Sequence, residues 1–288
     1  MTGLVVVGLD GSPASVTAAW WAAREAADRR LPVLLLHSWT TQPLDLPIPQ
    51  EAHTKRRYGR DVLQGTATEL LRRHPGLALT TELVSEPAAQ ALLERAGDAS
   101  MLVLGSRGHG SVASFLLGTI SLHVLGLAPC PAVAVRAGDP AVEVGRDHAA
   151  AVDRDEVVVG LETTGPAAEP LLQFAFGTAE PRDSRLRVVR ALPVSALVTE
   201  IDEDFAAAER ARLTEALLPW REKFPDVPVV EYVSTGPAAQ VLLSASAHSS
   251  LTVVGRRRHT SRLTWKLGPV AHAVLHHLPC PVAVVPHD

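Results

Sequence analysis

The sequence predicts an α/β protein made of two tandem doubly wound parallel-sheet domains related by internal duplication. Three observations carry that expectation. First, the chain is written twice: VVVGLDGSPAS (5–15) aligns with VVVGLETTGPA (157–167), and EPAAQALLERAGDASMLVLGSRG (86–108) with GPAAQVLLSASAHSSLTVVGRRR (236–258). LGLAPCPAVAV (125–135) likewise matches LHHLPCPVAVV (275–285). A period this long marks two whole domains rather than stacked solenoid units. Second, short apolar runs alternate with helical segments inside each copy, the pattern of strand–helix–strand crossovers. Third, those runs are apolar throughout instead of alternating, as strands buried on both faces of a parallel sheet must be.

In chain order, VVVGL, PVLLLH, LALTTELV, SMLVLG and PAVAV are the strand-like runs of the first copy. Ser12 followed by Pro13 supplies an N-cap and a first-turn proline for a helix through about residue 30. Residues 51–74 form a second helix, Pro87 opens a third, and 116–127 form a fourth. The second copy follows with helices starting near Pro166, Ile201, Pro237 and Leu267. Between the copies, RAGDPAVEVGRDHAAAVDRDE (136–156) is small, charged and without either periodicity. It reads as a linker with the boundary near residue 148. The expected domains are 1–140 and 153–288, joined by 141–152.

The 288 residues have ample apolar content for two cores. A net charge of −4 argues against general capture of nucleic acid or acidic membranes. MTGLVVVGLDGSP lacks the basic-then-apolar layout of a signal peptide, and no run approaches the roughly 18 apolar residues of a membrane helix. The expected location is cytoplasmic. Two cysteines, Cys130 and Cys280, occupy equivalent Pro-Cys-Pro settings and read as small apolar residues at a strand start. A disulfide between repeats stays open at this stage. No CxxC or HExxH suggests a metal, and two of the three histidines at 272, 276 and 277 share a helix face without a third ligand.

Open α/β sheets bind ligands at the carboxyl ends of their strands. Two such ends carry suggestive residues, LDGS (9–12) and GSRG (105–108). Gly105 and Gly108 let a ligand approach the backbone closely. After nine intervening residues, Gly118-Thr119 opens a helix whose free N–H groups and dipole favour phosphate. The Thr119 hydroxyl adds a donor. Asp10 is placed to accept from a ribose hydroxyl or base amine, or to touch a phosphate-bound metal; alternatively it is a turn residue. GK[ST] and GxGxxG are both absent, so the cradle is backbone without a P-loop lysine.

With VVVGLDGS, LLLHSW, the Gly105-xx-Gly108-(nine)-Gly118-Thr119 spacing and the closing APCPAVAV, the chain resembles the universal stress proteins in their tandem-domain form. The resemblance covers nearly all of both halves and implies adenine nucleotide alpha hydrolase-like domains. In the first half it implies ATP, with Mg²⁺, as the ligand. It places Asp10 by the nucleoside, the backbone around Ser38 at the adenine, and Leu104 against the base. Gly105, Gly108, Gly118, Thr119 and Ile120 would surround ribose and phosphates. His37, commonly a histidine in that family, is expected to pack at the strand end. The family also pairs domains through the last strand, which implies intramolecular pairing of the halves and allows a homodimer. The implied role is stress-response regulation through nucleotide occupancy. The alternatives are a slow ATPase or self-phosphorylating enzyme, and a structural pseudo-dimer with incidental nucleotide.

The second half departs from this pattern. Asp10 becomes Glu162, Gly108 becomes Arg258 and Thr119 becomes Pro269, while Gly255 and Gly268 persist. Proline has no N–H, so one phosphate donor is lost. The arginines at 256–258 could instead supply guanidinium donors. The expectation is a weak or absent second site built on Glu162, Gly255, Arg258 and Gly268, with a second nucleotide or anion site as the alternative.

Overall fold

The computed structural model describes residues 3–40, 49–106, 118–139, 142, 154–193, 203–258 and 267–288. The chain divides into two compact units, 1–151 and 152–288. In the first, β1 (Leu4–Gly8), β2 (Val33–Ser38), β3 (Leu79–Val84), β4 (Ala99–Ser106) and β5 (Ala132–Arg136) form an all-parallel sheet in the order β3-β2-β1-β4-β5. Its helices are α1 (Pro13–Arg29), α2 (Pro49–Arg73), α3 (Ala88–Arg95) and α4 (Thr119–Leu127). In the second unit β6 (Glu156–Leu161), β7 (Arg185–Leu192), β8 (Val229–Thr235), β9 (Ser249–Arg257) and β10 (Val282–His287) repeat the order as β8-β7-β6-β9-β10. They alternate with α5 (Glu169–Ala179), α6 (Glu203–Lys223), α7 (Ala238–Ala245) and α8 (Pro269–His277).

The central strands are as apolar as their burial requires. Val5–Val7 and Val157–Val159 have no exposed surface, and neither do Met101–Val103. The outer strands behave differently. β3 and β8 each have one neighbour, and Thr80, Thr81 and the glutamates Glu82 and Glu231 keep them half-buried. The expectation of burial on both faces therefore holds for the inner strands and for β5 and β10, and not for β3 and β8, where polar side chains blunt an otherwise open strand.

α1 begins as its sequence dictates. Ser12 caps it, its Oγ accepting from the Ser15 N–H at 3.2 Å, and Pro13 occupies the first turn. Such a cap contributes about 1 kcal/mol. Alanines 14, 18, 19, 22, 23 and 26 form a low-profile buried face that lets α1 lie close on β4 and β5. The second copy starts later. The helix expected at Pro166 is a 3-10 turn over Pro166–Ala168, and α5 begins at Glu169. Pro170 has no N–H to donate to the Pro166 carbonyl, so α-helical bonding cannot begin there. Cys130 and Cys280 are buried and are not joined in a disulfide. Most of the expected linker lies outside the described residues.

Candidate functional site

In each unit the strand order reverses beside the first strand: β1 lies between β2 and β4, and the connections leave to opposite faces. At that switch point in the first unit lies a cavity of about 480 Å³, within the range of small-molecule sites. Its floor is the ends of β1 and β4, through Gly8, Leu9, Leu104 and Gly105. One rim carries Asp10, Ser12 and Ser15; another carries Gly118, Thr119, Ile120 and Ser121 of the α4 start. Leu36, Ser38, Ala88 and Leu92 close the remaining side.

The polar groups around this space are few and fixed. The Asp10 carboxylate accepts from the Ser12 N–H at 2.9 Å, an Asx turn that holds it at the rim while leaving it exposed. The turn role weighed for Asp10 is thus observed, and its place in the cavity lining leaves the carboxylate at the position expected for a ligand contact. Ser38 Oγ donates to the Glu86 carbonyl at 2.6 Å, tying the end of β2 to the segment that opens α3. Gly118 caps α4 without a side chain, and the first helical bond runs from Leu122 N–H to the Gly118 carbonyl. The N–H groups of Thr119, Ile120 and Ser121 accordingly have no carbonyl of the helix behind them. Ser121 Oγ donates to the Gly105 carbonyl at 3.3 Å and anchors that turn against β4.

Gly105 answers to a different constraint from the one its place in the motif suggests. A Cβ on it would lie 2.5 Å from backbone atoms of Ala14 and Ser15 at the start of α1. It is glycine because the helix backbone crosses there, whatever a ligand needs. At Gly118, by contrast, an added Cβ meets nothing within 4 Å. Of the eight residues expected at the first site, Asp10, Ser38, Leu104, Gly105, Gly118, Thr119 and Ile120 all line one cavity. Gly108 lies outside the described residues. Sequence reasoning passed over Ala88 and Leu92, although the PAAQ-x-LL segment recurs in both copies and marks a feature that both kept.

His37 sits behind the cavity wall and is 6% exposed. Its Nδ1 lies 2.8 Å from the Leu9 carbonyl, and its ring meets Tyr58 edge-on at 6.0 Å. Burial holds its pKa below the ordinary histidine value, against the raising effects of the Leu9 carbonyl and Asp10. The neutral ring donates from Nδ1 and braces the strand end that carries Asp10. Gly59 of α2 makes room for it, since a Cβ there would come within 2.6 Å of the imidazole.

The second unit holds a cavity of about 540 Å³ at the corresponding switch point. Glu162 and Gly255 line it; Arg258 and Gly268 stand outside its lining. Arg258 is drawn away: its backbone N–H donates to the His287 carbonyl at 2.7 Å, and its guanidinium pairs with Asp288 at 3.6 Å. The arginines that do reach the wall are Arg190 and Arg257. By strand register Arg190 takes the place of His37, because Gly8 pairs with Leu36 and its counterpart Gly160 with Val189. Arg190 donates to the carbonyls of Leu161 and Glu162 and pairs at 3.2 Å with Glu209, which stands on α6 where α2 has Gly59. Hydrogen bonding from Arg212 and Arg190 keeps the Glu209 carboxyl below the usual range despite its burial.

Among the described residues, no helix is long and apolar enough to cross a membrane, and no group of three or more His, Cys, Asp or Glu is arranged to hold a metal ion. Comparison with known proteins agrees with the duplicated architecture. The family model described as "Universal stress protein family" matches twice, over residues 1–136 and 154–286. A universal stress protein of Mycobacterium tuberculosis is 34% identical over 97% of this chain and 96% of its own length. One from Mycolicibacterium smegmatis is 30% identical over 98% and 96%. Among solved structures, a universal stress protein of Archaeoglobus fulgidus aligns over the whole of both chains with a TM-score of 0.78 at 17% identity, a likeness of fold.

Proposed function

The chain belongs to the universal stress protein family, and on that premise we propose that its first half binds ATP and that nucleotide occupancy is the regulatory state the protein signals. One observation carries the reading. The Asp10 carboxylate and the first turn of α4, whose N–H groups have no helical carbonyl behind them, line the same cavity of about 480 Å³. A nucleotide laid across it presents ribose or base donors to Asp10 and phosphate oxygens to the N–H groups of Thr119, Ile120 and Ser121. Leu9, Leu36, Leu92 and Leu104 supply the apolar wall a base requires. The helix dipole adds to the attraction for phosphate.

The donor set also bears on Mg²⁺. Asp10 is the single carboxylate on the two rims, and the hydroxyls of Ser12, Ser15 and Ser121 are engaged with backbone groups, which leaves too few oxygen ligands for an all-protein cage. A magnesium ion here would be held chiefly by phosphate oxygens and water, as that ion commonly is. Adenine nucleotide released on denaturing the purified protein, together with a rise in melting temperature on adding MgATP, is the expected result. Absence of both would remove the proposal.

A further inference from the structure

The two cavities share one end and differ at the other. Gly160, Leu161 and Glu162 repeat Gly8, Leu9 and Asp10 along the first strand, and Ala238, Leu242 and Val254 repeat Ala88, Leu92 and Leu104. The apolar slot and its rim carboxylate are therefore both kept. The backbone brace is kept as well, with Arg190 on the Leu161 carbonyl where His37 serves Leu9.

The phosphate end is changed in three respects. Pro269 begins α8 in place of Thr119, so the first N–H of that turn is missing. Asp288 brings a second carboxylate to the lining, where the first half has Gly138. Among the described residues, three nearby guanidiniums are engaged: Arg190 with Glu209, Arg257 with Glu162 at 3.2 Å, and Arg258 with Asp288. Within the wall itself the charges of Arg190, Arg257, Glu162 and Asp288 cancel. A polyphosphate entering this cavity meets two carboxylates and displaces existing ion pairs. An uncharged ligand meets no such repulsion, and it loosens only the exposed Arg257–Glu162 pair.

We infer that the second cavity is a separate site for an unphosphorylated nucleoside, which it selects over the corresponding nucleotide. This rests on the reading of the first cavity as a nucleotide site, since the retained half of the second is identified by its likeness to it. The slot between Leu242 and Val254 takes the base. Glu162 accepts from a ribose hydroxyl, releasing Arg257 toward solvent.

The test uses the full chain, with adenosine and MgATP as separate probes in titration calorimetry. Ala88→Trp fills the first cavity and Ala238→Trp the second. Both alterations lie at rims where the added ring has solvent beside it, and thermal melting verifies that each variant folds. In the Ala88→Trp protein adenosine is expected to bind one to one, at least tenfold more tightly than ATP. Adding Ala238→Trp should abolish that binding, and adding Pro269→Thr instead should narrow the preference. The inference is overturned if the Ala88→Trp protein takes up no adenosine, if it binds ATP as tightly as adenosine, or if Ala238→Trp leaves the adenosine isotherm unchanged. The reading of the first cavity fails separately, when wild type and Ala238→Trp bind no ATP. Adenosine binding that Ala238→Trp removes would still stand in that case.

Discussion

His37 and Arg190 brace the same point of the fold in different chemical ways. Each reaches a leucine carbonyl at the end of its unit's first strand, Leu9 and Leu161 respectively. One brace is a neutral imidazole fitted against Gly59. The other is a guanidinium held by Glu209. The exchange at one position was accompanied by an exchange at its neighbour, which keeps both strand ends fixed although the cavities above them differ.

The histidine brace makes the first unit sensitive to acid. Burial lowers the pKa of His37, and burial with the adjacent Arg73 lowers that of His74. A folded pKa below the unfolded one means that the unfolded chain takes up the proton first. Stability is therefore full above the unfolded value of 6.5 and declines as pH falls below it toward the folded pKa. Denaturant unfolding at pH 7.5 and 5.5 should show this loss in the wild type. The decline should be smaller in His37→Gln and smallest when His74→Gln is added.

Gly105 and Gly118 should separate under the same substitution. Gly105→Ala drives a Cβ into the α1 backbone, and overpacking of this kind costs about 1–3 kcal/mol, visible as a lowered melting temperature. Gly118→Ala meets open space at φ −60°, so the ligand-free protein should melt within about 0.5 kcal/mol of wild type.

Thr119→Pro transplants the second half's residue into the first. Proline is tolerated at the first helical position, so the fold should survive. The loss of one N–H to a charged group, worth about 1.5–3 kcal/mol, should weaken MgATP binding about tenfold to a hundredfold by calorimetry. An unchanged affinity would place the phosphates elsewhere.

The Arg190–Glu209 pair should show coupling. Glu209→Gly removes the carboxylate that Arg190 faces and should lower stability by about 1–3 kcal/mol. Arg190→His alone should do likewise, by leaving the Glu209 carboxylate short of a donor. The double variant installs the first half's His–Gly arrangement, and its loss should be smaller than the sum of the two single losses. Simple additivity in unfolding measurements would refute the coupling.

Much of this was legible in the sequence, for physical reasons. The valine triplets of β1 and β6 cannot be placed anywhere but a sheet interior, and Ser12-Pro13 can hardly start anything but a helix. The rim residues Asp10 and Thr119 were legible because carboxylates and capping positions carry their chemistry in their identity. Three features were not. The delayed start of α5 depends on Pro170 lying four residues after Pro166, a relation between two prolines rather than a property of either. The swap of His37 for Arg190 became visible only through strand register. The engagement of Arg258 by Asp288 joins residues thirty positions apart, and that of Arg257 by Glu162 spans still more of the chain, so both arginines looked available in sequence when each already faced a carboxylate.

Gly105 packs under α1, and its counterpart Gly255 lies under His287, where a Cβ would come 2.8 Å from the imidazole. Each unit thus holds its glycine for a neighbour of its own, a helix backbone in one and a ring in the other. A copy that ceased to bind any ligand would still have a packing reason to keep glycine there, firm against the α1 backbone at Gly105 and softer against the movable ring at Gly255. The persistence of Gly255 is therefore accounted for by its neighbour without reference to an ancestral ligand. The positions free to record a change of ligand are those with empty space beside them, and at the α8 start the record is Pro269.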